Sequence, residues 1–278
     1  MIKRAVLALA AATLALSAFS GCGAGKNAKV LRVGMECAYA PYNWTQSTDA
    51  NGAVRIKDSS DYAYGYDVMM AKYVADKLER TLEIHKMDWD SLPTAVQAGT
   101  IDCAIAGQSI TEGRKETVDF TTPYYYASIV CLVKGDSGFA SATGISGLSG
   151  AICTSQFNTV WYDNCLPQVI GADILPAMDS APAMLVALTS GKCDLVVTDM
   201  PTAMAAVSVY PELKLLDFTG TDDNFVVSEE EINIGISVKK DNTELLDGMN
   251  AALAGLSIDD FERMMNDAIR VQPLSEEG

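Results

Sequence analysis

The chain has 278 residues, 49% of them hydrophobic, and a formal net charge of −16. A length of this order predicts about two domains. Such an acidic protein is a poor binder of nucleic acids and anionic lipids, so those two classes of partner are excluded.

The first residues are typical of an export signal. Lys3 and Arg4 precede an apolar stretch from Ala5 to Phe19, which is too short for a stable membrane span. No later segment is long and apolar enough to cross a bilayer. We therefore predict a signal peptide over residues 1–21, whose removal would change the net charge from −16 to −18 by loss of Lys3 and Arg4.

The apolar stretch ends in small residues before a cysteine, Ser20-Gly21-Cys22. This resembles the lipobox of bacterial lipoproteins, although Phe19 replaces the usual aliphatic residue. We predict that Cys22 carries the lipid and that residues 22–29 form a tether. The alternative is an ordinary signal peptide that happens to contain a cysteine.

Residues 66–106 predict a helix, a strand, a second helix and a second strand. The first helix places apolar residues from Val68 to Leu78 on one face, and alternating apolar and polar residues follow, as in a half-buried strand. The second helix is capped at Ser91 and stops at Gly99, before the apolar strand Ile101–Ala106.

The same pattern returns later in the chain. Ala95–Asp102 matches Ala187–Asp194: each run is a helix end, a glycine and an acidic residue that opens an apolar strand. Further strands are predicted at residues 151–154, 173–175 and 195–198. Helices that alternate with apolar strands indicate parallel sheets, and two copies indicate two similar lobes.

Two crossings between the lobes are predicted, near residues 126–132 and along a strand at 232–238. Two crossings make a hinge, about which lobes close on a ligand. Residues 242–269 have helical periodicity and are expected to pack back on the first lobe. The predicted division is lobe 1 over residues 30–127 and 236–278, and lobe 2 over residues 128–235.

Hydroxyl groups and one arginine follow the strand Ile101–Ala106, in the run Ser109–Arg114. Open α/β sheets bind ligands at the carboxyl ends of their strands. This run resembles the carboxylate-binding loop of the polar amino-acid solute-binding proteins of ABC transporters. The resemblance covers nearly all of residues 30–270, through Val33–Tyr42, Gly65–Asp67, Asp88–Asp90, Val118–Phe120, Thr122–Tyr126, Gln156–Thr159 and Val197–Asp199. It implies an α/β fold of the two-lobed periplasmic-binding-protein type II (Venus flytrap), with two parallel-rich sheets and a two-strand hinge.

The resemblance also implies a clamp for the main-chain groups of an amino acid. Arg114 would bind the α-carboxylate, with a hydroxyl from Ser109 and a backbone contact from Gly107; a surface helix arginine is the alternative. Asp199 would accept the α-ammonium group, and it can also cap a helix before Pro201.

Further residues are implied for lobe 2 and for the side-chain pocket. Thr159 would also touch the carboxylate; the preceding Asn158 stands where the family has glycine, and asparagine tolerates a positive φ. Glu36, Tyr39 and Tyr66 would form the distal pocket. Plain core packing of the two tyrosines and a surface position for the glutamate are the alternatives.

Seven cysteines are many for an exported chain. Their spacing fits no zinc site, and we expect no metal and no cofactor. The sequence leaves open whether these cysteines form disulfides or stay as buried free thiols. We predict one disulfide within the trio Cys153, Cys165 and Cys193. The cysteines other than Cys22 are Cys37, Cys103, Cys131, Cys153, Cys165 and Cys193.

A transport receptor is the main functional hypothesis. It predicts a monomer, lipid-anchored to the bacterial cell membrane outside the cytoplasm, that delivers an amino acid to a permease and, through it, to an ATPase. Arginine, lysine, histidine or glutamine is the expected ligand, and aspartate and glutamate are expected not to bind. Cystine is kept as an alternative ligand, for a pocket that is longer than assumed. The alternatives are a cyclohexadienyl-dehydratase-like enzyme, for which Glu36 is the one obvious spare acid, and a ligand-sensing module.

Overall fold

The computed structural model describes residues 29–228 and 232–273, so the predicted signal peptide, Cys22 and most of the tether lie outside the described residues. The strands are β1 Val30–Met35, β2 Ala38–Tyr39, β3 Asn43–Gln46, β4 Val54–Arg55, β5 Tyr62–Tyr64, β6 Thr81–Lys86, β7 Cys103–Ala104, β8 Val118–Phe120, β9 Tyr125–Tyr126, β10 Ile129–Lys134, β11 Ile152–Thr154, β12 Asp173–Ile174, β13 Leu195–Asp199, β14 Leu213–Leu216, β15 Asn233–Ile234 and β16 Ser237–Lys239. The α-helices are α1 Tyr66–Lys77, α2 Leu92–Ala98, α3 Glu112–Lys115, α4 Ala181–Thr189, α5 Met200–Val209, α6 Thr243–Leu253 and α7 Ile258–Val271.

Lobe 1 is built on a five-stranded sheet in the order β6-β1-β7-β16-β8. β1 runs parallel to β6 and β7, whereas β16 is antiparallel to both of its neighbours. Leu31, Val33 and Met35 of β1 are fully buried, as expected for a strand covered on its faces. A smaller antiparallel sheet, β2-β3-β5-β4, lies on the same lobe.

Lobe 2 repeats this plan with the order β12-β11-β13-β10-β14. β11 is parallel to β12 and β13, and β10 is antiparallel to β13 and β14. The first five residues of β10, Ile129 to Val133, are all buried, and α4 and α5 pack against this sheet. The two-lobed mixed α/β architecture predicted from the internal repeat is thus confirmed.

The chain passes between the lobes at two adjacent places. β9 and β15 form an antiparallel pair in which Tyr126 faces Asn233. The return strand predicted over 232–238 is interrupted between β15 and β16. Gly235 lies in the gap, where an added Cβ would stand 2.8 Å from the Ile110 side chain, so the backbone runs too close to lobe 1 for a side chain there.

Glycine explains the limits of two elements predicted from the sequence. α2 ends at Gly99 with a left-handed φ of 72°, so the predicted stop is confirmed. The strand predicted over residues 101–106 is shorter, because only Cys103 and Ala104 pair with β1. The backbone then turns at Gly107, where φ is 64°.

The helical region predicted over 242–269 is two helices, α6 and α7, separated by a short turn. Ser257 begins α7 with a capping box, in which its hydroxyl accepts from the Asp260 backbone and the Asp260 carboxylate accepts from the Ser257 N–H. α6 packs on α1 of lobe 1, as expected. α7 contacts α1 and also α5 of lobe 2, which the sequence did not indicate.

The predicted disulfide within Cys153, Cys165 and Cys193 is wrong. The described part of the chain holds six buried cysteine thiols and no disulfide. Cys153 belongs to β11, which pairs with β13, whereas Cys193 precedes Leu195, the first residue of β13.

None of the helices within residues 29–228 and 232–273 has the length and apolar character needed to cross a bilayer.

Candidate functional site

Arg114 lies where the two lobes meet. It belongs to α3, and its backbone N–H donates to the side chain of the N-cap residue Thr111 at 3.3 Å. Its Nη1 donates to the Ser109 carbonyl at 2.9 Å, and Nη2 donates across the cleft to the Asn158 carbonyl at 2.7 Å. The guanidinium carbon lies 5.2 Å from the ring centre of Trp89, a cation–π contact.

Asp163 lies near Arg114 in the wall of the same cleft but is not bonded to it. Within the described residues Arg114 makes no ion pair, since both of its side-chain hydrogen bonds end on carbonyl oxygens. Burial lowers its pKa to about 10, partly offset by Asp163. The group therefore stays cationic at neutral pH and keeps the capacity to bind an anion.

A cavity of about 440 Å³ opens beside this guanidinium. Trp89, Gln108 and Arg114 line it from lobe 1, and Asn158 and Thr159 line it from lobe 2. The Thr159 hydroxyl donates to the Gln156 carbonyl at 2.7 Å, which holds the side chain in the wall. Asn158 has a φ of 55°, so the turn with asparagine in place of glycine is accommodated as predicted.

A second cavity of about 440 Å³ adjoins the first and shares Trp89 and Asp90 with it. Its other acidic lining residues are Glu36 and Asp88 from lobe 1 and Asp179 from lobe 2. Glu36 is only 7% exposed. The pKa of Glu36 is raised to about 7, chiefly by burial and to a smaller extent by Asp88, while the nearby Gln156 side chain opposes the rise. This arm of the cleft is suited to a cationic or hydrogen-bond-donating group.

Asp199 is buried at the start of α5. Its Oδ1 accepts the Thr202 N–H at 2.8 Å, which is the capping role foreseen in the sequence. Its Oδ2 accepts the hydroxyl of Tyr39 from lobe 1, also at 2.8 Å. Burial raises the pKa of this carboxyl, and the hydrogen bonds from Thr202 and Tyr39 oppose the rise. This hydrogen bond joins the two lobes, and neither Tyr39 nor Asp199 lines the two cavities described above.

Gly107 makes room for Tyr39. A Cβ at position 107 would stand 2.7 Å from the Tyr39 ring, and the φ of 64° also favours glycine. The Gly107 N–H donates to the Tyr124 hydroxyl at 3.1 Å. The Tyr39 ring stacks on Tyr42, with ring centres 4.7 Å apart. The residue is therefore a structural support for Tyr39 in this arrangement.

Two other predicted site residues, Tyr66 and Ser109, make contacts that differ from those expected from the sequence. Tyr66 is fully buried, donates its hydroxyl to the Tyr124 carbonyl and stacks on the Tyr124 ring. Tyr42 packs edge-on against Tyr66 on one side and stacks on Tyr39 on the other, so Tyr66 lies one ring behind the cleft. Ser109 contributes its carbonyl to Arg114.

Two cleft residues were missed by the sequence analysis. Trp89 lines both cavities, and Gln156 of lobe 2 lies close enough to Glu36 to lower the pKa of that carboxyl. The sequence did contain a signal for Trp89, because this residue follows β6, at the carboxyl end of a strand, as Arg114 does after β7. Gln156 follows β11 in the same way in lobe 2.

Comparison with known proteins decides the family. The family described as bacterial extracellular solute-binding proteins, family 3, matches residues 31–267, a range that includes Arg114, Asp199 and both sheets. The chain belongs to this family. Family 3 proteins are extracellular by that description, which places this chain outside the cytoplasm.

Two named relatives match over almost their whole length. The chain is 28% identical over 262 residues to a probable histidine-binding protein of Neisseria gonorrhoeae, covering 91% of this chain and 90% of that protein. It is 25% identical over 266 residues to ABC transporter arginine-binding protein 1 of Escherichia coli, covering 96% and 98%.

Solved structures share the fold. The Streptococcus pneumoniae amino acid ABC transporter substrate-binding protein AbpA, bound to L-arginine, superposes with a TM-score of 0.73 at 24% identity, over 89% of this chain and 96% of that one. An ancestral arginine-binding protein bound to arginine gives a TM-score of 0.69 at 30% identity, over 87% and 98%.

Proposed function

We propose that this family 3 protein is an extracytoplasmic receptor that binds a basic or amide amino acid between its lobes and delivers it to an ABC importer. The observation that carries the proposal is Arg114, a half-buried guanidinium oriented by two carbonyls beside a cavity with walls from both lobes. A planar cation with fixed orientation is suited to a carboxylate.

In this proposal the α-carboxylate binds Arg114 and Thr159, and the α-ammonium is neutralised by Asp199, with Tyr39 moving aside or sharing the carboxylate. The side chain passes Trp89, where stacking or cation–π attraction favours a flat or cationic group. Glu36 and its acidic neighbours in the second cavity receive the distal end. Relatives named as arginine- or histidine-binding support the choice of a basic ligand.

Titration calorimetry of the mature protein against the common amino acids tests the proposal, with the same titration on variants. Arg114→Ala should weaken binding by at least about tenfold, because the loss of one partner of a buried charge contact costs several kcal/mol. Asp199→Asn should also weaken it while keeping an acceptor for the cap of α5. Arg263→Ala is the matched control, because Arg263 is an exposed arginine paired with Asp260. Unchanged affinity in both cleft variants would refute the clamp.

Binding without chemical change is proposed over the dehydratase alternative. Arginine incubated with the protein should be recovered chemically unaltered. A cyclohexadienyl substrate such as prephenate should show no change in its ultraviolet absorbance when the protein is added. Glu36→Gln is the decisive variant, since Glu36, with a pKa of about 7, is the carboxyl in the cleft suited to proton transfer. Turnover that disappears in Glu36→Gln would establish an enzyme instead.

Anchoring through Cys22 is proposed from the lipobox resemblance. In a bacterium that processes lipoproteins, the protein should partition with membranes and carry a diacylglycerol on Cys22. Cys22→Ser should abolish lipidation. Mass spectrometry that finds cleavage at another residue and no lipid would contradict the anchor, while leaving the amino-acid clamp untouched.

A further inference from the structure

The helix α7 lies across the two lobes. It packs against α1, which belongs to lobe 1, and against α5, which belongs to lobe 2. Its buried stripe consists of Phe261, Met265 and Ala268. The covalent crossings between lobes lie elsewhere, beside the pair β9 and β15. α7 is therefore a non-covalent connection in addition to the two hinge segments.

The residue after α7 is fixed to lobe 2. Gln272 is fully buried, and its Nε2 donates to the Ala205 carbonyl and to the Ser208 hydroxyl oxygen, at 3.3 Å in each case. The Ser208 hydroxyl in turn donates to the Ala205 carbonyl at 2.7 Å. A buried amide that loses such partners is destabilised, so these bonds resist separation of Gln272 from α5.

The next residue marks the boundary of the lobes. Pro273 lines a cavity of about 290 Å³ together with Ala40 and Trp44 from lobe 1 and Leu185 and Tyr210 from lobe 2. The end of α7 therefore reaches the line along which the lobes touch. Movement of lobe 2 away from lobe 1 would change the distance between α5 and this part of the chain.

We infer that α7 and Gln272 form a strap that holds lobe 2 in the arrangement in which Arg114 reaches Asn158. Hinge motion rotates one lobe as a body about a few residues. α7 also packs on α1, so a rotation that carries α5 away from lobe 1 breaks the two hydrogen bonds that join Gln272 to α5. Opening of the cleft is thereby coupled to a contact outside it, whichever ligand the cleft takes.

The test compares Gln272→Ala with Gln168→Ala in the full mature chain, with no amino acid added. Gln168 is the matched control because it also bonds backbone groups, accepting from the Val226 N–H at 2.7 Å and donating to the Val226 carbonyl at 3.0 Å, but within lobe 2. In Gln272→Ala, hydrogen exchange in the last turn of α5 should accelerate by about threefold to tenfold, as expected for loss of a net hydrogen-bond contribution. Small-angle scattering should report a larger radius of gyration.

Ser208→Ala provides a second variant should Gln272→Ala fail to fold. It removes one acceptor of the Gln272 amide and should shift exchange and scattering in the same direction, less strongly. Exchange and scattering that match the unaltered protein in the variants of both residues would overturn the strap. Equal changes in Gln168→Ala would overturn it as well, because they would reflect general loosening of lobe 2. Amino-acid titration is not part of this test, so its outcome is independent of the proposed ligand.

Discussion

The pH dependence of ligand binding should be governed by Glu36. Its carboxyl is buried beside a cavity that also contains Asp88 and Asp179, and its pKa is raised to about 7. A cationic side chain bound there favours the ionised form, so the affinity for arginine should rise as pH rises through 7. Between pH 6 and pH 8 the ionised fraction grows from about 0.1 to about 0.9, which predicts an increase in affinity of about tenfold.

Glu36→Gln keeps the shape of the side chain and removes its charge. It should weaken arginine binding at pH 8 and flatten the pH profile. Citrulline has nearly the same shape as arginine but a neutral side chain, so its affinity should change little with either pH or the substitution. Calorimetric titration of both ligands at pH 6, 7 and 8 measures these differences. A flat profile for arginine in the unaltered protein, or equal losses for both ligands, would refute Glu36 as the selector.

The same carboxyl should act on stability in the opposite sense. The folded-state pKa of Glu36 lies above its ordinary value of 4.5, so its contribution to stability is present below pH 4.5 and is lost as pH rises through 7. The shift corresponds to about 3 kcal/mol as an upper estimate. Glu36→Gln should therefore be more stable than the unaltered protein in urea at pH 8, and the two should converge at pH 4.5. A destabilised variant at pH 8 would show that the ionised carboxylate is well satisfied by its neighbours.

Two further predictions concern the lobes themselves. Gly107→Ala should lower the free energy of unfolding by about 1–3 kcal/mol, because position 107 has a positive φ and an added Cβ would clash with the Tyr39 ring. Thermal unfolding measures this effect, with Gly113→Ala as the control, because an added Cβ at position 113 meets nothing within 4 Å. Equal melting temperatures for the two variants would contradict the packing described. All six cysteines of the mature chain other than Cys22 should react with a thiol reagent in denaturant without reductant. They should resist the reagent when the protein is folded, since all six are buried, and burial raises the thiol pKa of Cys37, for example, to about 12. Incomplete labelling of the denatured chain would indicate a disulfide.

Local signals predicted the two-lobed fold well. The repeated glycine and acidic residue have the same roles in both lobes: Asp102 accepts the Arg32 N–H at 2.8 Å, and Asp194 accepts the Ile152 N–H at 3.0 Å. In each case a carboxylate satisfies a backbone donor near the start of the neighbouring strand. Such a device is visible in one sequence because its residues stand at a fixed distance from a helix stop.

Contacts between the lobes were harder to predict. The Tyr39–Asp199 bond joins residues 160 positions apart, and the Arg114–Asn158 bond joins residues 44 apart. No periodicity links such positions, because their encounter depends on how two bodies are set against each other. Tyr66 illustrates the same limit, since an aromatic residue beside a strand end can face the cleft or the core. Its position behind Tyr42 follows from the packing of three other tyrosines around it.

The place of β16 in lobe 1 bears on how the protein reaches its final structure. β16 lies between β7 and β8, with Val238 opposite Cys103, so the middle of this sheet needs a strand that is made after all of lobe 2. Lobe 2 draws its own sheet from the continuous stretch 129–216 and can fold as soon as that stretch is available. Pairing across so long a separation is slow. The sheet of the amino-terminal lobe therefore stays incomplete until nearly the whole chain has been synthesised, whereas lobe 2 does not depend on it.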